Sequence, residues 1–195
     1  MDLAGSDLTR YLRQILKESH PSPSFLPHPS TIRDIKEQLC YVTPNQLHKM
    51  HKPPTIEKTY KLPSGQEITL GTERSRCPEV LFSPSYIGYE CSGVHESIYY
   101  SISLSDSHIR RDLYRNIVLT GGSTMFAGFA ERIEREVRVL GYDAVGIEVV
   151  APPGRNYLSW VGGSVLASLP TFHDMWISSA EYDESGPPIV HKKCF

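Results

Sequence analysis

The sequence has little cysteine, no close cysteine pair, no long apolar run and no excess of either charge, and each shortage removes a class of protein. The four cysteines, Cys40, Cys77, Cys91 and Cys194, stand far apart with no C-x-x-C pair and follow no secretory signal. Tetrahedral zinc sites need close ligand pairs, so neither a zinc module nor a disulfide framework is expected, and free thiols in a reducing compartment fit the spacing. No metal-ligating residues are singled out. No apolar run approaches the ~20 residues that cross a bilayer. Lys and Arg number 20 against 22 Asp and Glu, a net charge of -2, which gives no electrostatic reason for a nucleic-acid or anionic-membrane partner.

What remains is a globular composition. With 195 residues, 39% of them hydrophobic, the chain is long enough to bury a core. Its opening, Met1-Asp2-Leu3-Ala4-Gly5, runs straight into a helical pattern and reads like the middle of a domain. From Asp7 to Glu18, Leu8, Tyr11, Leu12, Ile15 and Leu16 share one helical face. Four prolines between His20 and Ser30 (Pro21, Pro23, Pro27 and Pro29) predict an extended connector. Thr31, with Asp34 three residues on, predicts the start of a second helix whose buried stripe is Ile32, Ile35 and Leu39. A polar segment from Thr43 to Thr55 is expected to pack loosely and to divide the region into subdomains.

Alternation in Thr59-Tyr60-Lys61-Leu62 and Glu67-Ile68-Thr69-Leu70, around Pro63-Ser64-Gly65, predicts a hairpin. Val80 to Gly88 is apolar but broken by Pro84 and Gly88, which suits an irregular loop. The clearest unit is Asn116 to Thr124 followed by Phe126, Phe129, Ile133, Val137 and Leu140: strand, glycine turn, helix. A short strand at Ile147–Val150 and a helix over Tyr157–Leu169 containing Gly162-Gly163 come next. Ser178 and Glu181 make a second capping pattern before the basic end His191-Lys192-Lys193-Cys194-Phe195. Strands alternating with helices argue for an α/β fold.

Several residues carry candidate chemistry. Thr120-Gly121-Gly122-Ser123-Thr124, if it opens a helix, offers unhindered N–H groups at a positive helix end, suited to phosphate. An ordinary tight turn needs glycine just as much, and spacing alone does not separate the two. Lys36 and Glu37 offer a point charge and an acceptor for a base and ribose, whereas periodicity alone makes them a solvated helix face. His95 beside Glu96 has no nucleophile motif near it and reads as a helix start. Trp160, Phe172, Met175 and Trp176 are either core or an interface patch.

Five stretches carry a resemblance: Asp2-Leu3-Ala4-Gly5-x-Asp7-Leu8-Thr9, Ile35-Lys36-Glu37-x-Leu39-Cys40-Tyr41, Glu73-Arg74-x-Arg76-Cys77-Pro78-Glu79, Gly121-Gly122-Ser123-Thr124-Met125 and Glu181-Tyr182-Asp183-Glu184-Ser185-Gly186-Pro187. In order and spacing they resemble actin, over essentially the whole chain and matching the second half of an actin. The resemblance implies one lobe of the fold shared by actins, sugar kinases and the 70-kDa heat-shock ATPases: a mixed sheet with flanking helices plus a smaller subdomain. It divides the chain into 1–90, which holds the smaller subdomain, 91–169, the larger subdomain with the glycine turn, and 170–195, a C-terminal segment that packs on the other lobe.

The same resemblance implies ATP or ADP with Mg²⁺ as cofactors. It places Gly5, Arg33, Lys36, Glu37, Gly122, Met125 and Phe126 around adenosine, with Gly121, Gly122, Ser123 and Thr124 by the phosphates. Pro84-Ser85-Tyr86-Ile87-Gly88 is similar to a filament contact loop. Val161, Val165, Leu166, Leu169 and Met175 are similar to one wall of a cleft for actin-binding proteins. Departures are Ser6 for an arginine, Asn156 for a lysine over the adenine, Phe126 for a tyrosine and Pro170 for a small polar residue. The first phosphate hairpin, the water-orienting glutamine and the Mg²⁺ aspartates have no counterpart in this sequence. The implied function is a cytoskeletal or actin-related structural subunit, truncated to one lobe, in the cytoplasm or nucleus, with actin-like subunits and actin-binding proteins as partners. It implies weak nucleotide binding and no catalytic residues. The rival readings are half of a split ATPase and a fragment of a full-length, ATP-binding actin. Trp176, Ile177, Tyr182 and Ile189 are then expected to lose apolar partners.

Overall fold

The computed structural model describes residues 2–20, 27–45, 56–141 and 146–194. Pro21, Pro23 and most of the 43–55 segment lie outside them, as does Phe195. The chain packs as two compact units, Met1–Asn156 and Tyr157–Phe195.

In the first unit, α1 (Gly5–Ser19) buries Leu8, Tyr11, Leu12, Ile15 and Leu16, the expected stripe. Each fully buried Leu or Ile contributes roughly 1.5–3 kcal/mol of apolar transfer. The Asp7 carboxylate accepts the Ala4 N–H at 3.1 Å and so closes the helix start. Helix α2 (Pro29–Leu39) begins two residues before the expected Thr31, and its cap is His28, whose Nδ1 accepts from the Ser30 N–H. The reason is Pro29: at the first helical position its missing N–H costs nothing and its φ is already helical. Asp34, read as a capping partner, instead accepts from Gln38 and from the Tyr60 hydroxyl.

Strands β1 (Lys58–Lys61) and β2 (Glu67–Leu70) form the expected hairpin, antiparallel with Lys58 opposite Leu70. Gly65 turns it at φ 87°. Helix α3 (Glu73–Glu79) packs on α1, and Val80, Leu81 and Phe82 run on into the core. The stretch expected to be an irregular loop is thus core at its start and a 3₁₀ turn, Pro84–Ile87, at its end. Helices α4 (Val94–Ser103) and α5 (Ser107–Tyr114) follow, with Glu96 accepting the Gly93 N–H at the start of α4. His95 is buried beside the Phe82 ring.

Strand β3 (Ile117–Val118), α6 (Phe129–Leu140) and β4 (Val149–Val150) form a parallel pair joined through a helix, in the register Ile117 to Val149. Among the described residues the strands make two separate two-stranded sheets and not the single mixed sheet expected. Two-residue strands and a hairpin whose charged positions Lys58, Lys61 and Glu67 face solvent offer little surface for a shared layer. The arrangement of helices and strands remains α/β in class.

A buried charge ties the unit together. Arg132 on α6 is fully buried; it donates to Glu79 at 2.9 and 3.2 Å, to Glu136 at 2.7 Å and to the Thr43 carbonyl at 2.9 Å, and it lies over the Phe82 ring at 4.6 Å. Nearby, the Val42 N–H donates to the Ala127 carbonyl at 2.8 Å, in a bridge that sets the exit of α2 beside the segment after the glycine turn.

In the second unit, α7 (Leu158–Ala167) is joined to α8 (Ser179–Ser185) through a 3₁₀ segment, Pro170–Met175, and α8 to α9 (Val190–Lys193) through the turn Pro187–Ile189. The expected capping box is formed: Ser178 Oγ accepts the Glu181 N–H at 3.3 Å, and the Glu181 carboxylate accepts the Ser178 N–H at 2.9 Å. Trp176 and Tyr182 are each 50% exposed, as expected, but Ile189 is 7% exposed, held in a turn that packs on α8 and α9.

Candidate functional site

A cavity of about 450 Å³ opens where α1, α2 and the glycine turn converge, lined by Gly5, Leu8, Lys36, Glu37, Gly122, Ser123, Met125, Phe126 and Asn156. Four stretches far apart in sequence meet there: α1 packs on α2, the hydrogen bond from Val42 to Ala127 carries the glycine turn to the end of α2, and Arg155 ties the segment holding Asn156 to that turn.

On α2, the Lys36 side chain turns inward and is buried. Its Nζ donates to the Gly5 carbonyl at 2.8 Å and to Thr9 Oγ1 at 3.0 Å, and no carboxylate lies within 4.0 Å among the described residues. An ammonium has three N–H donors, so one remains for an acceptor in the cavity. Gly5 is fitted to this arrangement: a Cβ there would stand 3.4 Å from the Lys36 amine. Glu37, the next residue, is exposed at the mouth as an acceptor.

The glycine turn is held from behind. Arg155 donates to the Thr124 carbonyl at 2.6 Å and to Thr124 Oγ1 at 3.0 Å, while its own carbonyl accepts from the Gly121 N–H at 3.0 Å and Thr120 Oγ1 at 3.1 Å. Gly121 sits at φ 89°, ψ 157°, a conformation essentially confined to glycine. These bonds occupy Gly121 and Thr124, which do not line the cavity. The backbone N–H groups of Gly122 and Ser123 donate to no protein acceptor among the described residues. Gly122 would meet nothing within 4 Å even with a Cβ, so a ligand can approach its backbone closely.

No α-helix begins at the glycine turn. Gly122–Thr124 is a 3₁₀ turn and α6 starts only at Phe129, with Gly128 before it at φ 80°. Any phosphate at this turn would be held by individual N–H groups and by the Lys36 charge, since dipole effects fade within the first helical turn.

Of the residues singled out from sequence, the structure brings Gly5, Lys36, Glu37, Gly122, Ser123, Met125 and Phe126 onto one cavity. It sets Gly121 and Thr124 behind the wall and Arg33 along a different groove. Asn156, noted from the resemblance as standing for a lysine over the adenine, lines the cavity too. Leu8 lines it without having been singled out as a ligand; it follows Gly5 by about one helical turn, a signal the sequence did carry.

The other two groups of candidates lie elsewhere. In the Pro84–Gly88 turn, Pro84 is buried and Tyr86 is 44% exposed, with Gly88 closing the turn at φ 79°. In the second unit, Val161, Val165, Leu166, Leu169 and Met175 are 44 to 59% exposed. The cysteines are unpaired, with Cys40 and Cys77 buried; burial pushes the Cys77 thiol well up, with the Cys40 sulfur as its neighbour. No helix among the described residues is long and apolar enough to cross a membrane.

A sequence model of the family described as Actin matches residues 1–195. The chain belongs to the actin family. Actin-family proteins in general bind nucleotide with Mg²⁺, assemble with actin-like subunits and are typically cytoskeletal. In this actin-family chain the cavity supplies a buried ammonium, two unbonded N–H groups, an exposed carboxylate and apolar walls from Leu8, Met125 and Phe126. Its volume is in the range of small-molecule sites. Mg²⁺ finds no such provision: no group of three or more His, Cys, Asp or Glu is placed to hold a metal ion among the described residues.

Proposed function

We propose that this chain is a structural subunit of an actin-type filament or complex that takes adenine nucleotide weakly, as a structural ligand, in the cavity between α1, α2 and the glycine turn. The observation that carries this reading is the donor set: Lys36 with one spare N–H, and Gly122 and Ser123 with unbonded backbone N–H groups, line a cavity whose formal charges among the described residues are Lys36 and Glu37. Apolar walls suit a base, Glu37 suits a ribose hydroxyl, and the N–H groups suit one phosphate. Three phosphates with their metal need more cationic and carboxylate groups than the cavity lining provides. Turnover by this chain alone is therefore not expected. The exposed faces of α7 and of the Pro84–Gly88 turn are the surfaces through which it meets actin-like subunits and actin-binding proteins, in the cytoplasm or nucleus.

The test has two parts. A fluorescent ADP analogue titrated into the full chain is expected to bind, and Glu37→Ala to weaken it by about tenfold or more, the loss of one hydrogen bond to a charged group. Gel filtration of a cell extract is expected to place the chain in an assembly much larger than its own 22.0 kDa. Absence of ADP binding overturns the ligand, and elution as a lone chain overturns the subunit role. ATP turnover that appears only when the first half of an actin is added would favour a split ATPase instead.

A further inference from the structure

A second groove, about 470 Å³, runs between α1 and the start of α2 and is lined by Arg10, Arg13 and Arg33 together with Ser6, Thr9 and Ser30. Its charge stands out in a chain whose net charge is -2, and against the neighbouring cavity, where Lys36 and Glu37 balance. Arg10 is paired with Asp7 at 3.1 Å, but no carboxylate lies within 4.0 Å of Arg13 or Arg33 among the described residues. Asp34 is engaged by Tyr60 and Gln38. Among the described residues the groove thus holds two guanidinium groups without a carboxylate partner and one paired with Asp7, on packed helices, and the positive end of α2 adds to the same potential.

We propose that this groove binds a phosphate-bearing small molecule, at a site separate from the cavity lined by Lys36 and Glu37. Guanidinium forks match the oxygen spacing of a phosphate and can each give two parallel N–H bonds. The Ser6, Thr9 and Ser30 hydroxyls supply further donors, and Ile32 with the arginine stems supplies an apolar floor for whatever carries the phosphate. An acidic peptide is the poorer match, because each of its carboxylates offers two oxygens where a phosphate offers three or more to the same donors. Thr9 touches both sites: it lines the groove and accepts from the Lys36 amine.

The probe is inorganic pyrophosphate, titrated into the full chain by calorimetry at low and moderate salt. Binding is expected, weaker at higher salt, and the double variant Arg13→Ala with Arg33→Ala is expected to weaken it by at least about tenfold. Glu37→Gln, at the mouth of the other cavity, is expected to leave it unchanged. All three side chains are exposed, so these variants should melt like the parent; a Lys replacement at both arginines, retaining charge but not the fork, should give an intermediate affinity. No pyrophosphate binding, binding indifferent to the arginines, or tighter binding of an oligoglutamate than of pyrophosphate would each overturn the proposal. Competition with ADP in the parent chain separates the sites: pyrophosphate that ADP leaves in place is bound in this groove, and pyrophosphate that ADP displaces is bound in the cavity, which would overturn the proposal.

Discussion

Arg132 is the residue on which most depends. It is fully buried, and its guanidinium meets Glu79 on α3, Glu136 one turn along α6 and the Thr43 carbonyl. Arg132→Ala leaves Glu79, itself 1% exposed, as an unpaired buried charge, an arrangement that costs about 3–5 kcal/mol. Urea denaturation should show that loss, and Arg132→Met with Glu79→Leu and Glu136→Leu should recover much of it, because removing all three charges removes the desolvation problem. A second residue test concerns Gly128, at φ 80° with a Cβ position 2.4 Å from the Val42 carbonyl oxygen. Gly128→Ala combines a left-handed backbone with a backbone clash, and a fall of about 1–3 kcal/mol in stability is expected by the same measurement. Because Val42 bridges to Ala127, the glycine turn should shift with it, and ADP affinity should fall in parallel. Neither residue could be read from the sequence. The Arg132–Glu136 spacing is legible as a helical pair, but Glu79 lies 53 positions away, and nothing local distinguishes Gly128 from the other glycines.

At the scale of elements, legibility follows locality. Helix α1, the hairpin and the Ser178–Glu181 cap are fixed by residues within a few positions of one another, and all are found as expected. At the start of α2 two local rules compete, Thr31 as a cap and Pro29 as a first helical residue, and Pro29 prevails. The glycine turn stands where its residues predict it, but the helix after it begins later than the apolar spacing implies, since Gly128 at positive φ resets the backbone. The C-terminal cap supports a pH prediction. Glu181 is held down to about 2, from an ordinary 4.5, first by the Lys193 amine 2.6 Å away and then by the Ser178 N–H and hydroxyl. A carboxylate with a lowered folded pKa stabilises the fold fully above its unfolded value, near 4.5, and that contribution is lost as pH falls toward about 2. The pair is open to water, so the effect on stability is small, and the sensitive reading is the carboxyl carbon itself. Its NMR titration should give a low midpoint that Lys193→Ala moves up toward the ordinary value; an unmoved midpoint would assign the shift to Ser178 instead.

For the molecule as a whole, the feature that demands a partner is α7. A helix apolar on nearly every side belongs in an interior, yet Trp160 is 74%, Val165 59% and Leu166 45% exposed. Leaving such side chains in water forgoes roughly 1.5–3 kcal/mol each, and a contiguous patch of this kind marks an interaction surface. The sequence showed the apolar run but not its exposure, because composition alone cannot tell a buried helix from one awaiting a partner. The purified chain should therefore bind an apolar dye and sediment above its 22.0 kDa mass, and addition of an actin-like partner should abolish both. Val165→Glu with Leu169→Glu should remove the self-association and the capture of that partner together. Pyrophosphate and ADP binding should survive, since neither residue lines the cavity or the arginine groove. Loss of partner capture with intact ligand binding would separate the assembly surface from the ligand sites. A double variant that still enters the full-sized complex would shift the assembly role to the Pro84–Gly88 turn, where Tyr86 then becomes the residue to replace.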